Sequence, residues 1–374
     1  MHPALAALMA SGTPSGEAIA DFLATNDFPL VEPGFVTFVW SGEADRVELL
    51  RWIHAGSDRE PFTRLIDTPL WTLRLPVADR GRFEYKLNVV QWGNDNWMLD
   101  PLNPARAGDP FGQNSVCRTF GYQPPEWITP NGAPKGRVEP LTIDSRIFGH
   151  QRSEQVYLPA EYSDQEVYPL VVIHDGADFM TYADLVVSLD NLIAKGDIPP
   201  LVAVLIQTGD RMGEYPRSRR HARYLVNEVL PAVNAAYSVS HEPRNRVLLG
   251  ASLGAVASLS TAFRFPGTFG GLILKSGSFI VDQSKLQSRT HSVFHITARL
   301  VDVIKRAPQL PASRIFISTG ELEGLASDNR EMADLLRNRG VDVRFQSAWD
   351  GHHWHNWRDQ LRDGLMWVLR KDGN

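Results

Sequence analysis

The spacing of apolar and polar residues changes character partway along the chain. Between residues 34 and 122 the apolar residues come in short runs broken by polar turns, among them FVTFVW, RVELLRW, LWTLRLPV and RFEYKLNVV. Short strands at close spacing are typical of a small all-β sandwich. We therefore predict a β-sandwich domain over residues 1–123, with a helix or a loose arm at its beginning.

A proline- and glycine-rich stretch follows this region. GYQPPEWITPNGAPKGRVEP contains five prolines and three glycines within twenty residues. Proline interrupts a helix and donates no hydrogen bond to a sheet, so such a stretch is expected neither to continue a helix nor to pair with a strand. We predict that residues 124–140 are a linker between two domains.

Beyond the linker, apolar strands alternate with helical patterns. YPLVVIHDG and PLVAVLIQT are nearly continuous apolar runs, as expected for parallel strands that are covered on both faces. RHARYLVNEVLPAVNAAY and NREMADLLRNRG have helical spacing, and the second ends at Gly340. This alternation predicts an α/β domain over residues 141–374, with a doubly wound, mostly parallel sheet.

Composition narrows the class of protein. The 374 residues are 43% hydrophobic and 22% charged, with a net charge of −5, which disfavours a general nucleic-acid binder. Cys117 is the only cysteine, so a disulfide framework and a cysteine-based zinc site are excluded. The sequence shows no apolar run near the ~20 residues that span a bilayer, and its first lysine or arginine is Arg46. We expect a cytoplasmic protein without membrane or nucleic-acid partners.

The pentapeptide GASLG raises the question of a nucleophile. Ser252 lies between a predicted strand, RVLLG, and a predicted helix, LGAVASLSTAFRF, which is the context of a nucleophile elbow. Gly250 and Gly254 permit the sharp turn, and the amide of Leu253 can face a developing oxyanion. The alternative interpretation is a tight turn with an inert serine. We interpret Ser252 as the nucleophile.

A serine nucleophile requires a base within hydrogen-bonding reach. In α/β hydrolases the histidine follows the last strand, and FQSAWDGHHWHNW occupies that place. His352, directly after Asp350 and Gly351, is the predicted base, and His353 and His355 are its neighbours. A metal-binding loop is the alternative, but the sequence offers no second ligand cluster. We expect neither a metal nor a cofactor.

The acid of a triad is expected on the loop after the penultimate strand, RIFISTG. There ELEGLASD offers Glu321, Glu323 and Asp328. Glu323 is the choice, since it lies just beyond the strand end, and Glu321 is the runner-up. The role of the acid is to hold the imidazole in the required tautomer and to stabilise the imidazolium. A solvated loop carboxylate is the alternative interpretation of either glutamate.

Two further stretches bear on the site. VVIHDGADF ends an early strand, and the amide of Ala177 or of Gly176 would be the second oxyanion donor, a choice that the sequence leaves open. TGDRMGEYPRSRRHARYL follows another strand and is rich in arginine. It predicts either a site for an anionic or catecholic substrate or a solvated basic surface. The arginines are Arg211, Arg217, Arg219, Arg220 and Arg223.

Taken together, the motifs resemble a known family. PLVVIHDGADF, DRMGEYP, NEVLPAVNAAYSVSHEPRNRVLLGASLGAVAS, LILKSGSF, STGELEG and DGHHWHNWRDQL occur in the order seen in the enterochelin (enterobactin) esterase family, within the esterase-D-like α/β hydrolases. This similarity covers about residues 140–370. FEYKLNV, WMLDPLNP and DPFGQNSV are similar to the early-set immunoglobulin-like β-sandwich domain of that family, over about residues 30–122.

The resemblance implies a serine esterase that cleaves a catecholate siderophore, such as iron-loaded enterobactin, to release iron. It assigns Ser252 as nucleophile, His352 as base and Glu323 as acid. It also places Arg211 near the substrate, with Glu214 in the Glu position of an Arg-x-x-Glu motif. The sequence departs from the family at Ala255, where a second glycine is usual, and at Asp350, where some members have glycine.

Two alternatives stay open at this point. One is a feruloyl- or acetyl-type esterase acting on another small-molecule ester. The other is a ligand- or glycan-binding protein with an inactive hydrolase domain, in which the aromatic residues of the N-terminal half form a stacking platform. We expect these residues to pack in the core or between domains instead. They are Trp71, Tyr85, Trp92 and Trp97.

Overall fold

The chain folds into two compact units, as a computed structural model that describes residues 1–51, 59–216, 218–289 and 291–370 shows. Arg217, one of the predicted basic residues, lies outside the described residues. The first unit consists of Met1–Pro124 together with Gly320–Glu323 and Ala348–His353. The second consists of Pro125–Thr319, Gly324–Ser347 and Trp354–Asn374. Sequence alone assigns the two short late segments to the second domain.

The first unit contains two antiparallel sheets, one in the order β1-β2-β6-β5 and one in the order β4-β3-β7-β10-β9 with β8 beside β7. Helices α1 (Pro3–Met9) and α2 (Gly16–Thr25) precede them. The strands are β1 (Leu30–Glu32), β2 (Phe35–Ser41), β3 (Arg46–Leu50), β4 (Arg59–Pro61), β5 (Thr63–Arg64), β6 (Leu70–Pro76), β7 (Arg82–Val90), β8 (Trp97–Met98), β9 (Arg106–Asp109) and β10 (Gly112–Arg118).

The two sheets share one apolar core, because alternate residues of each strand point between them. Phe38 of β2, Phe83 of β7 and Cys117 of β10 are all buried there. Burial raises the pKa of the Cys117 thiol far above its ordinary value. Val39, on the other side of β2, instead packs in a second cluster with Phe22 of α2. We call the two sheets the β-sandwich.

The four aromatic residues proposed as a stacking platform do not form one surface. Tyr85 and Trp71 are buried in the core of the β-sandwich, with 0% and 7% of their surface exposed. Trp92 and Trp97 are 92% and 44% exposed. The expectation of core packing is therefore correct for two of the four residues, and wrong for the two at the end of β7 and beyond it.

The second unit is built on an eight-stranded sheet in the order β11-β12-β14-β13-β15-β16-β17-β18. β11, β12 and β14 are antiparallel neighbours, and the strands from β14 through β13, β15 and β16 to β17 are parallel. The strands are β11 (Arg137–Ser145), β12 (His150–Leu158), β13 (Leu170–His174), β14 (Val202–Ile206), β15 (Arg246–Ala251), β16 (Gly271–Lys275), β17 (Arg314–Gly320) and β18 (Asp342–Ala348).

Helices connect these strands. They are α3 (Gly176–Tyr182), α4 (Leu185–Lys195), α5 (Arg211–Glu214), α6 (Arg219–Tyr224), α7 (Leu230–Ala236), α8 (Leu253–Arg264), α9 (Val293–Arg306), α10 (Ala326–Asn338), α11 (Trp354–Asp359) and α12 (Leu361–Leu369). Across the described ranges, no helix combines the length and the apolar character needed to cross a bilayer.

Both faces of the central strands are covered by apolar side chains. In β15, Leu248 packs in the core on one face, whereas Val247 and Leu249 pack in the core on the other. A strand that is buried on both faces must be apolar at every position, which is why the sequence runs were continuous. The predicted α/β fold with a mostly parallel sheet is confirmed for this unit.

One local prediction was wrong, and one predicted helix has an irregular segment. The stretch 124–140 does pair in a sheet from Arg137 onward, because β11 is an edge strand on which Pro140 is tolerated. RHARYLVNEVLPAVNAAY is helical as predicted, in a stretch from Arg219 to Ala236 with one irregular segment. A π-helical turn, Leu225–Val229, separates α6 from α7, and Pro231 in the first turn of α7 has no amide hydrogen for the regular ladder.

Candidate active site

Ser252 lies on a strained turn between β15 and α8. Its φ of 55° and ψ of −117° are values that a residue with a side chain rarely adopts. The backbone holds it there, because the Ser252 amide donates to the carbonyl of Lys275 on the neighbouring strand over 2.8 Å. The turn presents the hydroxyl at the first turn of α8, as a nucleophile elbow does.

The two glycines of GASLG are required by close packing. A Cβ atom on Gly250 would lie 2.3 Å from the carbonyl oxygen of Gly254. A Cβ atom on Gly254 would lie 3.1 Å from Cβ of His174 and 3.2 Å from Oδ2 of Asp175. The two glycines of GASLG therefore allow β15, α8 and the loop after β13 to pack closely around the turn.

Ser278 is a neighbour of the candidate nucleophile that sequence analysis missed. Its hydroxyl lies 3.2 Å from the hydroxyl of Ser252, and its amide donates to the Ser252 carbonyl over 3.3 Å. Asn329 fixes the preceding residue, since it accepts from the amide of Gly277 and donates to its carbonyl. The position of Ser278 just beyond the end of β16 is the signal that could have identified it.

The three predicted oxyanion donors differ in their surroundings. Leu253 is the first residue of α8, so its amide is one of those that have no acceptor within the helix. The Ala177 amide donates to Oε1 of Gln207 over 3.2 Å. A Cβ atom on Gly176 would lie 2.4 Å from Cβ of Leu205, so this glycine permits the close packing of α3 against β14.

Arg211 connects the loop after β13 with the nucleophile turn. Its Nε donates to both carboxylate oxygens of Asp175 over 3.1 Å, and its Nη2 donates to Oδ2 over 3.0 Å. The same Nη2 donates to the carbonyl of Ala251, next to Ser252, over 3.3 Å. Its side chain is still 36% exposed. That Arg211 also contacts the substrate stays a prediction.

Glu214, the other predicted substrate-binding residue, is held by protein groups. Nη1 of Arg152 donates to both of its carboxylate oxygens over 3.0 Å. Burial alone would raise the pKa of Glu214, but hydrogen bonds from His221, Thr208 and Arg152 outweigh it and hold the pKa at about 2. Glu214 is therefore a permanent anion in the site region.

A buried pair of histidines continues this network beneath the nucleophile helix. Nε2 of His221 lies 3.0 Å from Nε2 of His174, and Nδ1 of His174 lies 3.0 Å from the hydroxyl of Ser258 on α8. Burial and the neighbouring His221 lower the pKa of His174 well below its ordinary value. His174 is thus a neutral packing and hydrogen-bonding group, which the sequence did not indicate.

The predicted acid and base meet within the first unit. Nδ1 of His352 forms a hydrogen bond with Oε2 of Glu323, and the amide of Gly320 donates to Oε1 of Glu323 over 2.9 Å. Glu323 is buried, whereas Glu321 is exposed. Asp328 instead forms ion pairs with Lys285 and Arg289. Of the three candidate acids, the structure therefore brings Glu323 to His352.

The clustered histidines do not converge on one point. His352 faces Glu323, whereas Nδ1 of His353 lies 3.5 Å from Oε2 of Glu84 on β7. In the part of the chain that the structure describes, no three or more His, Cys, Asp or Glu side chains are grouped so that they could hold a metal ion. The hydrogen-bonded pair of Glu323 and His352 is instead a carboxylate–imidazole pair, which can accept and donate protons.

Comparisons with known proteins agree with this chemistry. Residues 145–368 match the Esterase family model. The iron(III) enterobactin esterase of Dickeya dadantii (strain 3937) is 27% identical over 362 residues, which are 85% of this chain and 81% of the relative. The enterochelin esterase resemblance is thereby confirmed.

Solved structures share the fold. Ferric enterobactin esterase from Salmonella typhimurium matches with a TM-score of 0.78 at 19% identity, over 94% of this chain and 98% of that chain. The CE1 ferulic acid esterase of Anaeromyces mucronatus matches with a TM-score of 0.56 at 17% identity, over 66% of this chain and 96% of that chain. The fold is that of an α/β hydrolase. With the family model matching more than half of its length, the chain belongs to the Esterase family and is an ester hydrolase.

Proposed function

We propose that the protein is a serine esterase that hydrolyses ester bonds of an enterobactin-like catecholate siderophore, iron-loaded, and so releases iron. The observation that carries the serine mechanism is the strained Ser252 on its glycine-flanked turn, because such strain is kept where function needs it. The siderophore substrate is supported by similarity to iron(III) enterobactin esterases over 85% and 72% of this chain.

The proposed reaction is acyl transfer in two stages. His352 accepts the hydroxyl proton of Ser252 while Oγ bonds to the ester carbonyl carbon, and the Leu253 amide with that of Ala177 or Gly176 stabilises the oxyanion. His352 then gives the proton to the departing alcohol, which leaves an acyl-serine. Water repeats the sequence, with His352 as base, and releases the acid and free Ser252.

The order of the three residues along the chain supports the triad. Ser252 follows β15, Glu323 follows β17 and His352 follows β18, which is the order nucleophile, acid, histidine of α/β hydrolases. Such sheets bind their ligands at the carboxyl ends of the strands. The bond from Glu323 to Nδ1 leaves Nε2 of His352 as the nitrogen for proton transfer.

The remaining assignments belong to the same proposal. Arg211 binds the anionic catecholate with the exposed part of its guanidinium. Glu214 holds the guanidinium of Arg152 in position. Residues 1–123 are an early-set immunoglobulin-like domain, and the catalytic domain begins after the linker with β11 (Arg137–Ser145). The reaction takes place in the cytoplasm, where iron is released for use.

Ser252→Ala tests the nucleophile directly. We expect kcat for p-nitrophenyl butyrate to fall by about 10⁵- to 10⁶-fold, because oxyanion stabilisation and binding alone remain. A fluorophosphonate probe should label the wild type and leave Ser252→Ala unlabelled. Equal rates for the two proteins, or labelling of both, would show that another residue is the nucleophile.

A second substrate class is favoured by a specific observation. The fold of a ferulic acid esterase matches the chain, and an acetyl esterase is among its sequence relatives. The test compares kcat/KM for ferric enterobactin, iron-free enterobactin, methyl ferulate and an acetyl ester. We expect ferric enterobactin to exceed methyl ferulate by at least about 100-fold. The reverse order would assign the protein to the feruloyl-type esterases.

A further inference from the structure

A buried ionic cluster holds the segment that carries His352. We call Ala348–His353 the histidine loop. Nη1 of Arg82, at the beginning of β7, donates to Oδ2 of Asp350 in this loop over 2.7 Å. Nη2 of the same arginine donates to Oε1 of Glu84 over 2.6 Å. All three side chains are almost fully buried, with 2% to 3% of each residue exposed.

Backbone and ring contacts seat the histidine loop on β7. The Arg82 amide donates to the carbonyl of Trp349 over 3.1 Å. The indole of Trp349 lies edge-on to the ring of Phe83, with centroids 5.7 Å apart. A Cβ atom on Gly81 would lie 2.5 Å from this indole, so the approach requires glycine. The loop is therefore part of the packing of the β-sandwich.

Asp350 also accepts hydrogen bonds from the backbone next to His352 and Glu323. Its Oδ1 accepts from the amide of Gly351 over 2.7 Å, and its carbonyl accepts from the amide of Leu322 over 3.0 Å. Leu322 precedes Glu323, and Gly351 precedes His352. One aspartate thus fixes the residues next to both the acid and the base.

The choice of arginine is explained by geometry better than by stability. A guanidinium has donors in a rigid planar fork and can bridge two carboxylates at fixed angles, which an ammonium cannot. Buried ion pairs are seldom more stabilising than apolar side chains of the same volume, since both charges must leave water. What such a pair supplies is one defined arrangement of the groups it joins.

We propose that Arg82 of the β-sandwich is a positioning residue for His352, which acts through its hydrogen bond to Asp350. The proposal rests on the proposed function, in which His352 is the base for Ser252. Asp350 is the position at which this sequence departs from the glycine of some family members, and Arg82 explains what the aspartate does there.

The experiment compares Arg82→Met with a matched control on the same strand, Tyr85→Phe. The control removes the hydroxyl that donates to Asp100 and accepts from Asn103, so it weakens the β-sandwich without touching the histidine loop. We expect Arg82→Met to lower kcat for p-nitrophenyl butyrate by about 10- to 100-fold, with KM changed by less than about twofold. Tyr85→Phe should keep kcat within about twofold while lowering Tm by a few degrees.

Two further variants keep the test decisive if Arg82→Met does not fold. Arg82→Lys retains the charge but reaches one carboxylate only, and should recover part of the lost kcat. Asp350→Asn should also lower kcat, and adding it to an Arg82 variant should cost little more, because both changes break the same contact.

The outcomes separate this proposal from the proposed function. Equal kcat losses in the Arg82 and Tyr85 variants, or full additivity of the Arg82 and Asp350 changes, would overturn the positioning role while Ser252→Ala remained inactive. An active Ser252→Ala would instead overturn the proposed function itself. A kcat loss confined to the Arg82 and Asp350 variants, with KM constant, supports positioning.

Discussion

The nucleophile turn and the histidine loop carry neighbouring steps of one proposed reaction, yet they are built in different ways. The turn is local, since Gly250, Ser252 and Gly254 lie within five residues and need only a strand before them and a helix after them. The histidine loop is fixed by Arg82, which lies 268 positions from Asp350 along the chain. Short-range geometry is visible in a sequence pattern, whereas long-range ionic contacts are not.

Among the variants that probe these two regions and leave Ser252 in place, the largest loss of kcat is expected when the hydrogen bond between Glu323 and His352 is broken. In Glu323→Gln the amide of Gly320 continues to bind the side-chain oxygen, so the new NH₂ group faces Nδ1 of His352. Nδ1 must then accept, and the ring hydrogen moves to Nε2, where no proton can be taken from Ser252. We expect kcat to fall by about 10³- to 10⁴-fold at unchanged KM.

Glu321→Gln is the matched control for that variant. Glu321 was the runner-up for the acid, and its side chain is exposed. We expect this variant to keep kcat within about twofold of the wild type, as surface substitutions usually do. A loss for Glu321→Gln larger than that for Glu323→Gln would reverse the assignment.

Buried charge sharpens the contrast between the two regions. Arg82 is buried with two carboxylates, whereas the ammonium of Lys275, beside the nucleophile turn, is buried without a hydrogen-bond partner among the described residues. Burial lowers the pKa of Lys275 to about 7, and attraction to Asp363 and Asp359 does not offset it. Lys275 therefore lowers the free energy of unfolding at every pH at which its ammonium would be charged in the unfolded chain, that is, below about pH 10.5.

Lys275→Met should accordingly stabilise the protein in a pH-dependent way. The unfolded chain holds this proton up to about pH 10.5 and the folded protein only up to about pH 7, so wild-type stability rises between these values. The variant lacks this dependence. We expect its advantage in free energy of unfolding to be on the order of 4 kcal/mol at pH 6 and to vanish towards pH 10.5.

Urea unfolding at pH 6, 8 and 9.5, followed by circular dichroism, measures that difference. Lys285→Met is the control, because the partly exposed Lys285 ammonium, unlike that of Lys275, has carboxylate partners and donates to Glu331 and to the buried Asp328. It should lower stability or leave it unchanged. An advantage of Lys275→Met that is constant with pH would show that side-chain packing, and not charge burial, is responsible.

Ser278→Ala should have the smallest effect. It removes the hydroxyl 3.2 Å from that of Ser252 and leaves the backbone of the turn in place. One neutral hydrogen bond contributes about 0.5–1.5 kcal/mol, so kcat/KM for p-nitrophenyl butyrate should fall by less than about 10-fold. A loss beyond about 100-fold would mean that Ser278 takes part in the chemistry.

Much of the fold could be predicted from sequence because its signals are local. FVTFVW and RFEYKLNVV correspond to β2 and β7, and the continuous apolar runs became the central strands of the second unit. The error in the linker arose where context overrides local preference, because Pro140 is tolerated on the edge strand β11. The π-helical turn Leu225–Val229, just before Pro231, is a detail within a correctly predicted helix.

In the candidate site, too, the features set by local sequence could be predicted and those set by distant residues could not. The motifs point to Ser252, His352 and Glu323 as the proposed triad, because each stands at a recognisable place after a strand. They did not indicate that Gly176 serves packing against β14, nor that Arg82 anchors the histidine loop. Those facts depend on which strand lies beside which, and one sequence contains no record of such pairs.

The single cysteine has a practical consequence for testing these ideas. Cys117 is buried between the two sheets of the β-sandwich and pairs in register with Phe83, next to Arg82 on β7. A thiol in that place can react with a solution reagent only when these strands separate. Because the chain has one thiol, its modification rate under native conditions reports the free energy of opening the β7–β10 strand pair, in which β7 carries Arg82.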